Sequence, residues 1–254
     1  MDDIDSWAAS LLAVHAGADA IEQLPGLIDE EQGYAVQAAV AQGLGPVVGH
    51  KLSFTTADPP PTGLGRAPAY GPFVSGQVRA GRPGAAPIRL GGEPLVECEI
   101  VMRVRADLTP DLDLAALAAR VDVAPGIEVP VSRFRSWWPE GGGPRLDRPE
   151  FIADACLAAH LVVGDTWVPA AGRDLAAVEV VLTGPDGTQQ RGIGSAVMGD
   201  PMRALAWLVE ALGGLPAGRV VATGTLTAPV RAERGTYVAG FTGLGSVEVT
   251  FGDD

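Results

Sequence analysis

Lysine is almost absent from this chain. The sequence has 18 lysines and arginines together, and the single lysine among them is Lys51, in the stretch GHKLSF at 49–54. A coding bias toward arginine accounts for the scarcity, but not for the one place where it is broken. A primary amine can shed and regain a proton when buried, and a guanidinium cannot. Lys51 is therefore a candidate for a position that needs an amine.

Cysteine is scarce too. Cys98 and Cys156 are the only two in 254 residues, and a chain of this size buries enough core to stand without a bridge. Reduced thiols in a cytoplasm are the expectation. No apolar run approaches the ~20 residues of a membrane helix. The opening MDDIDSWAASLLAVHAGADAIEQ has no basic region ahead of its apolar run, so it reads as an amphipathic helix and not as a signal peptide. Positive charge is in short supply, and a net charge of −13 argues against a nucleic-acid backbone or an anionic membrane as partner. A small anionic substrate stays compatible with that field only if a local cation offsets it. There is no internal repeat and no G-x-S-x-G elbow, and the glycines of GIGSAVMG (192–199) match neither a dinucleotide fingerprint nor a phosphate loop.

What is present begins with helix. Residues 4–17 carry apolar side chains at helical spacing, and 29–43 opens with acids and ends in glycine. Beyond Gly49, short apolar runs broken by Gly and Pro predict strands: KLSF, LVECEIVMRV, VAPGIEVPV, VEVVLTG, GRVVATGTLT and GSVEVTF. Helices are expected over 111–120, about 149–158, and 200–213, the last with Asp200 as N-cap and Pro201 at its first position. Long loops are expected at 57–72 and 139–148. Helices are too few for a doubly wound parallel sheet, so the fold class is α+β, a mixed β core with a helical N-terminal part. The division expected is 1–47 for that helical part and 48–254 for the β-rich remainder.

The strand PLVECEIVMRV (94–104) carries the chemistry. Alternation puts Val96, Cys98, Ile100, Met102 and Val104 on one face and Glu97 and Glu99 on the other. Two carboxylates at i and i+2, ~7 Å apart, can chelate a hard cation. A solvent-facing polar edge would give the same pattern. Glu128 is a third acid, alone in the apolar APGIEVPVS. Three carboxylates without a Cys/His cluster describe an oxygen-only site for Mg²⁺ or Mn²⁺. His15 and His160 read as structural, His50 points away from its neighbour Lys51, and Cys98 reads as packing.

Together GHKLSFT, PLVECEIVMRV, APGIEVPVSRF, MGDPMRALAWLVEAL, AGRVVATGTLTAPV and AGFTGLGSVEVTF resemble the 2-keto-4-pentenoate hydratase and 4-oxalocrotonate decarboxylase group of the fumarylacetoacetate hydrolase superfamily, in order from about residue 5 to 251. The resemblance implies a β-roll or sandwich of the fumarylacetoacetate hydrolase type. It implies Mg²⁺ (or Mn²⁺) on Glu97, Glu99 and Glu128, with Lys51 as the catalytic proton carrier, an amine of depressed pKa. It places Ser53, Thr55, Ala69, Tyr70, Leu157, Thr223, Gly224 and Thr225 around the substrate. The partner it implies is a small 2-oxo acid, with no nucleic acid and no membrane, and the assembly a cytoplasmic homo-oligomer built from dimers.

The departures bear on the reaction. The group usually carries an acid before the aromatic–Gly pair, and here that position is Ala69; its D-N-A-S-S stretch is here DACLA, with Ala155, Leu157 and Ala158 in place of an amide and two hydroxyls. Hydration moves protons at a distant carbon, where the missing acid would help. Vinylogous loss of CO₂ leaves a dienolate that the cation already stabilises. A metal-dependent lyase working through an enolate is implied, with decarboxylation favoured and hydration the alternative. C–C bond hydrolysis or a catalytically silent partner subunit are further alternatives.

Overall fold

In a computed structural model of the protein, residues 3–56, 67–138 and 145–252 are described. Two helices come first, α1 (Asp3–His15) and α2 (Glu30–Leu44). Asp29 caps α2 by accepting from Gln32 N, and Glu30 and Glu31 sit in its first turn, where negative charge is favoured. The apolar side of α1 (Trp7, Ala8 and Leu11) is buried in one cluster with Val36 and Val40 of α2. That stripe is covered within the chain.

Strands and short helices follow: β1 (Val47–Ser53), β2 (Ala69–Val74), β3 (Val78–Ala80), β4 (Ile88–Arg89), β5 (Leu95–Val104), α3 (Leu114–Ala118), β6 (Val121–Val129), α4 (Arg148–Ala153), β7 (His160–Val163), β8 (Val168–Pro169), β9 (Glu179–Thr183), β10 (Gln189–Ile193), α5 (Pro201–Leu212), β11 (Val220–Thr225), β12 (Val230–Arg231), β13 (Gly235–Phe241) and β14 (Gly245–Gly252). One sheet runs β2-β1-β11-β5-β6-β7-β3, with β12 beside β5 and β8 beside β6; the other runs β10-β9-β13-β14-β4. Pairing is mixed: β1 lies parallel to β11, and β5 antiparallel to both β11 and β6. Two mixed sheets with helices at the N-terminus make the fold α+β, as the sequence predicts.

β5 shows why the sheets pack. Val96, Cys98, Ile100, Met102 and Val104 alternate on one face, and all five are buried in the main core with Tyr237, Val247 and Phe251 of the second sheet. The opposite face of β5 carries the acids. Helix α5 has the predicted boundaries, with Asp200 accepting from Met202 N at one end and Gly213 left-handed at the other.

Two expectations change. The helix expected to reach 158 stops at Ala153, because Ala155, Cys156 and Leu157 take φ of 52°, 50° and 68°. Strand β2 begins inside the loop expected at 57–72, where residues 57–66 lie outside the described residues, as do 139–144 of the second loop.

Candidate metal centre and substrate cavity

The register of β5 and β6 sets Glu97 directly opposite Glu128. Directly paired residues share a face of the sheet, and so does Glu99, two positions along. One oxygen from each of the three carboxylates lies within 4.8 Å of the others. Glu99 and Glu128 are fully buried, while Glu97 keeps partial access and lines an open cavity.

Two donors support the group. Gly224 N donates to Glu99 Oε2 at 2.7 Å, and Lys51 Nζ lies 2.8 Å from Glu128 Oε1. Glu99 Oε1 and Glu128 Oε2 are buried without a hydrogen-bond partner. Three carboxylates against one ammonium leave negative charge uncompensated where desolvation costs several kcal/mol per ion. Protons are held as a result. Burial first, and the Glu128 charge second, push Glu97 up to about 7 against the pull of Lys51, and the same two causes lead in raising Glu99. Orphaned lone pairs, an all-oxygen donor set and excess negative charge together fit a hard divalent cation, and the group lacks the Cys and His donors typical of zinc sites.

Lys51 is 3% exposed, and its Nζ donates to Cys156 O at 2.9 Å as well as meeting Glu128. Burial pulls its pKa down, but Glu128 and then Glu97 outweigh that, so the amine is held above its ordinary range. The resemblance implies a depressed amine, whereas Glu128 and Glu97, bearing on the ammonium directly, act in the opposite direction.

The Cys156 carbonyl reaches Lys51 from the left-handed turn at 155–157. Non-glycine residues there cost ~1–2 kcal/mol each, so neighbours must hold them. Arg133 forms a buried ion pair with Asp154 through Nε, donates from Nη2 to Asp154 O at 2.6 Å and from Nη1 to Ala158 O at 3.1 Å. Ser132 Oγ adds a bond to Asp154 Oδ2 at 2.8 Å. Gly71 leaves room on the other side, since a Cβ there would stand 1.8 Å from Ala155 O.

The cavity beside Lys51 and Glu97 measures about 580 Å³. Of the residues expected around the substrate, Ser53, Thr55, Leu157, Gly224 and Thr225 line it. Thr223 is fully buried and donates to Ile100 O at 2.9 Å. Tyr70 is on the other face of the sheet: β1 and β2 pair Lys51 with Gly71, so the next residue points away, and its ring stacks on Tyr34 at 4.7 Å. Ala69 shares the face of Lys51 but is fully covered, in one apolar cluster with Phe151 and Leu157. Sequence reasoning missed Phe54, Trp137, Trp138 and Phe151 on the cavity wall, and the Cys156 carbonyl. The paired tryptophans of SRFRSWWPE were the only available signal. Phe54 leaves strand alternation through a φ of 59° that no local sequence rule foretells.

The histidines stay outside the site. His50 lies with Tyr34 and Tyr70 around a separate cavity, and burial holds it down at about 4. Cys98 is a free, buried thiol that burial pushes up to about 12.

No family model matches the chain. It is 32% identical over 215 residues to a 2-keto-4-pentenoate hydratase of Paraburkholderia phymatum, covering 82% of this chain and 79% of that protein. It is 29% identical over 165 residues to a 4-oxalocrotonate decarboxylase of Pseudomonas putida, covering 62% of this chain and 60% of the relative. Among solved structures, 4-oxalocrotonate decarboxylase from Pseudomonas putida G7, complexed with magnesium and adipate, superposes with a TM-score of 0.84 at 23% identity, over 98% of this chain and 97% of that one, and so shares its fold. The chain belongs to the family of 2-keto-4-pentenoate hydratases, with a 4-oxalocrotonate decarboxylase among its relatives.

Proposed function

We propose that the protein is a divalent-cation-dependent lyase acting on a 2-oxo acid, with decarboxylation favoured over hydration. The observation that carries this reading is the convergence of Glu97, Glu99 and Glu128 within 4.8 Å at a cavity that also holds the chain's one lysine. The three carboxylates would hold Mg²⁺ or Mn²⁺, the ion present with the decarboxylase of shared fold being magnesium. When bound, the cation supplies Lewis-acid stabilisation of the negative charge that builds on the substrate's 2-oxygen.

The chain's own residues do the rest. Lys51 Nζ adds a positive charge at the cavity wall beside Glu97 and carries the proton that the reacting carbon takes up after the bond breaks. The Cys156 carbonyl fixes where that amine points. Glu99 is oriented by Gly224 N. Position 69 favours decarboxylation, because Ala69 offers no acid on the Lys51 face where hydration would use one to move protons. Hydration is the second reading, carried by the relative of Paraburkholderia phymatum.

Protein stripped with chelator and reloaded with Mg²⁺ or Mn²⁺ is tested for CO₂ release from 2-oxohex-3-enedioate and for hydration of 2-hydroxypenta-2,4-dienoate. Metal-dependent turnover is expected, with decarboxylation faster. Faster hydration selects the second reading, and no metal-dependent turnover of either compound rejects both. A cytoplasmic homo-oligomer built from dimers completes the proposal. A monomer mass in light scattering would remove that part alone.

A further inference from the structure

An ammonium carries three N–H groups. Among the described residues two oxygens meet that of Lys51, Glu128 Oε1 at 2.8 Å and Cys156 O at 2.9 Å. The third N–H is left for the cavity that Lys51 lines. Where those two oxygens stand sets the direction in which the amine offers a proton.

Both oxygens depend on one segment of chain. Glu128 lies near the end of β6. Just beyond it, Val131, Ser132 and Arg133 each grip the turn that carries the Cys156 carbonyl. Val131 N donates to Leu157 O at 3.0 Å. Ser132 Oγ and Arg133 N both donate to Asp154 Oδ2, at 2.8 and 3.0 Å. The Arg133 side chain takes Asp154 Oδ1 through Nε, Asp154 O through Nη2 and Ala158 O through Nη1. Those two carbonyls bracket the left-handed residues Ala155, Cys156 and Leu157. Each of the three disfavours that conformation, so the turn keeps its shape only while its ends are held. A planar guanidinium, with several donors in a fixed fork, suits the task. Arg133 is buried and does not line the cavity, so its reach to the site runs through the turn.

We infer that Arg133 is a positioning residue for Lys51: by holding Asp154 O and Ala158 O on either side of the turn, it aims the Cys156 carbonyl and, through it, the amine. This rests on the reading of Lys51 as proton carrier and adds the residue that directs it.

The solitary lysine makes the inference testable without activity. Protein labelled with 15N at lysine Nζ gives one side-chain ammonium signal, that of Lys51. The signal is recorded without added cation in the wild type, in Arg133→Met, and in Arg133→Met combined with Asp154→Leu. The combined variant removes both charges, which is often tolerated where breaking a buried pair is not. In whichever variant folds, the signal is expected to shift and to lose protection from solvent exchange. The kcat of the same variant is expected to fall ~10-fold or more, the scale of a misplaced reacting group. KM and Mg²⁺ affinity are expected to stay within ~2-fold, since the three glutamates and the cavity wall are untouched. The decisive arm repeats the substitution in a Lys51→Ala background. With no amine to aim, it is expected to lower kcat by no more than ~2-fold further. An unchanged Nζ signal, or the same ~10-fold loss in the Lys51→Ala background, would make Arg133 a support of the fold alone and overturn the inference, leaving the reading of Lys51 in place. If Lys51→Ala by itself leaves kcat unchanged, the proton-carrier reading falls and this inference falls with it.

Discussion

Lys51 stands between two opposed influences. Burial disfavours its charge, and Glu128 and Glu97 restore it. The same carboxylates form the proposed cation site, so the amine and the cation draw on shared partners. Lys51→Arg keeps a positive charge there but cannot give up a proton near neutral pH. Substrate binding is expected to survive while kcat falls by ~10²-fold or more, the usual scale for a lost general acid–base group. Lys51→Ala is expected to impair both kcat and KM, since the charge goes too. A near-wild-type kcat in the arginine variant, measured in steady state, would reduce Lys51 to an electrostatic anchor. At this scale the sequence was informative. The solitary lysine and the acids at 97, 99 and 128 are found by residue type, strand spacing and family resemblance. Tyr70 shows the limit, because which face it takes depends on the pairing of β1 with β2, and a single strand does not reveal its partner's register.

Elements position these side chains through close backbone approaches. Gly224 has φ +110°, and a Cβ there would stand 1.9 Å from Thr55 Oγ1. Its N–H meets Glu99, so strain at this position reaches the carboxylate group. Gly224→Ala is expected to cost ~2 kcal/mol or more and to weaken Mg²⁺ binding, through strain and clash together. Gly243→Ala is the control: its φ is +72° but no atom lies within 4 Å of the added Cβ. It is expected to cost ~1 kcal/mol, with Mg²⁺ affinity unchanged. Chemical denaturation and metal titration of both variants check this, and equal effects at the two positions would show that the approach to Thr55 does not matter. The turn at 155–157 explains why the last part of the site was not legible. PEFIADACLA has apolar spacing that suits a helix, and nothing in Ala155, Cys156 or Leu157 asks for positive φ. The turn is imposed from outside by Arg133 on Asp154 and by the room at Gly71. Helices with local caps, such as α2 and α5, were legible for the opposite reason.

For the molecule as a whole, the carboxylate group links stability to pH. Glu97 and Glu99 titrate above the ordinary carboxylate value when folded. The folded chain therefore holds protons that the unfolded chain has released. The contribution is fully present below ~4.5 and is lost as pH rises through the folded value, near 7 for Glu97. A divalent cation replaces those protons and removes the penalty. The rise in Tm on adding saturating Mg²⁺ is thus expected to be larger at about pH 7.5 than at about pH 5.5. Glu97→Gln is expected to flatten that difference. Thermal melts across pH, with and without Mg²⁺, read it out, and a cation effect that is constant or grows toward acid pH would contradict the shared-proton picture.

The central claim is that one divalent cation belongs between Glu97, Glu99 and Glu128, next to Lys51. Anomalous diffraction from crystals of the protein grown with Mn²⁺ and oxalate tests it most directly. A single manganese peak is expected, with an oxygen of each of the three glutamates at about 2.1–2.2 Å and oxalate on the cavity side. A peak elsewhere, or none at saturating Mn²⁺ with the Lys51–Glu128 pair undisturbed, would contradict it.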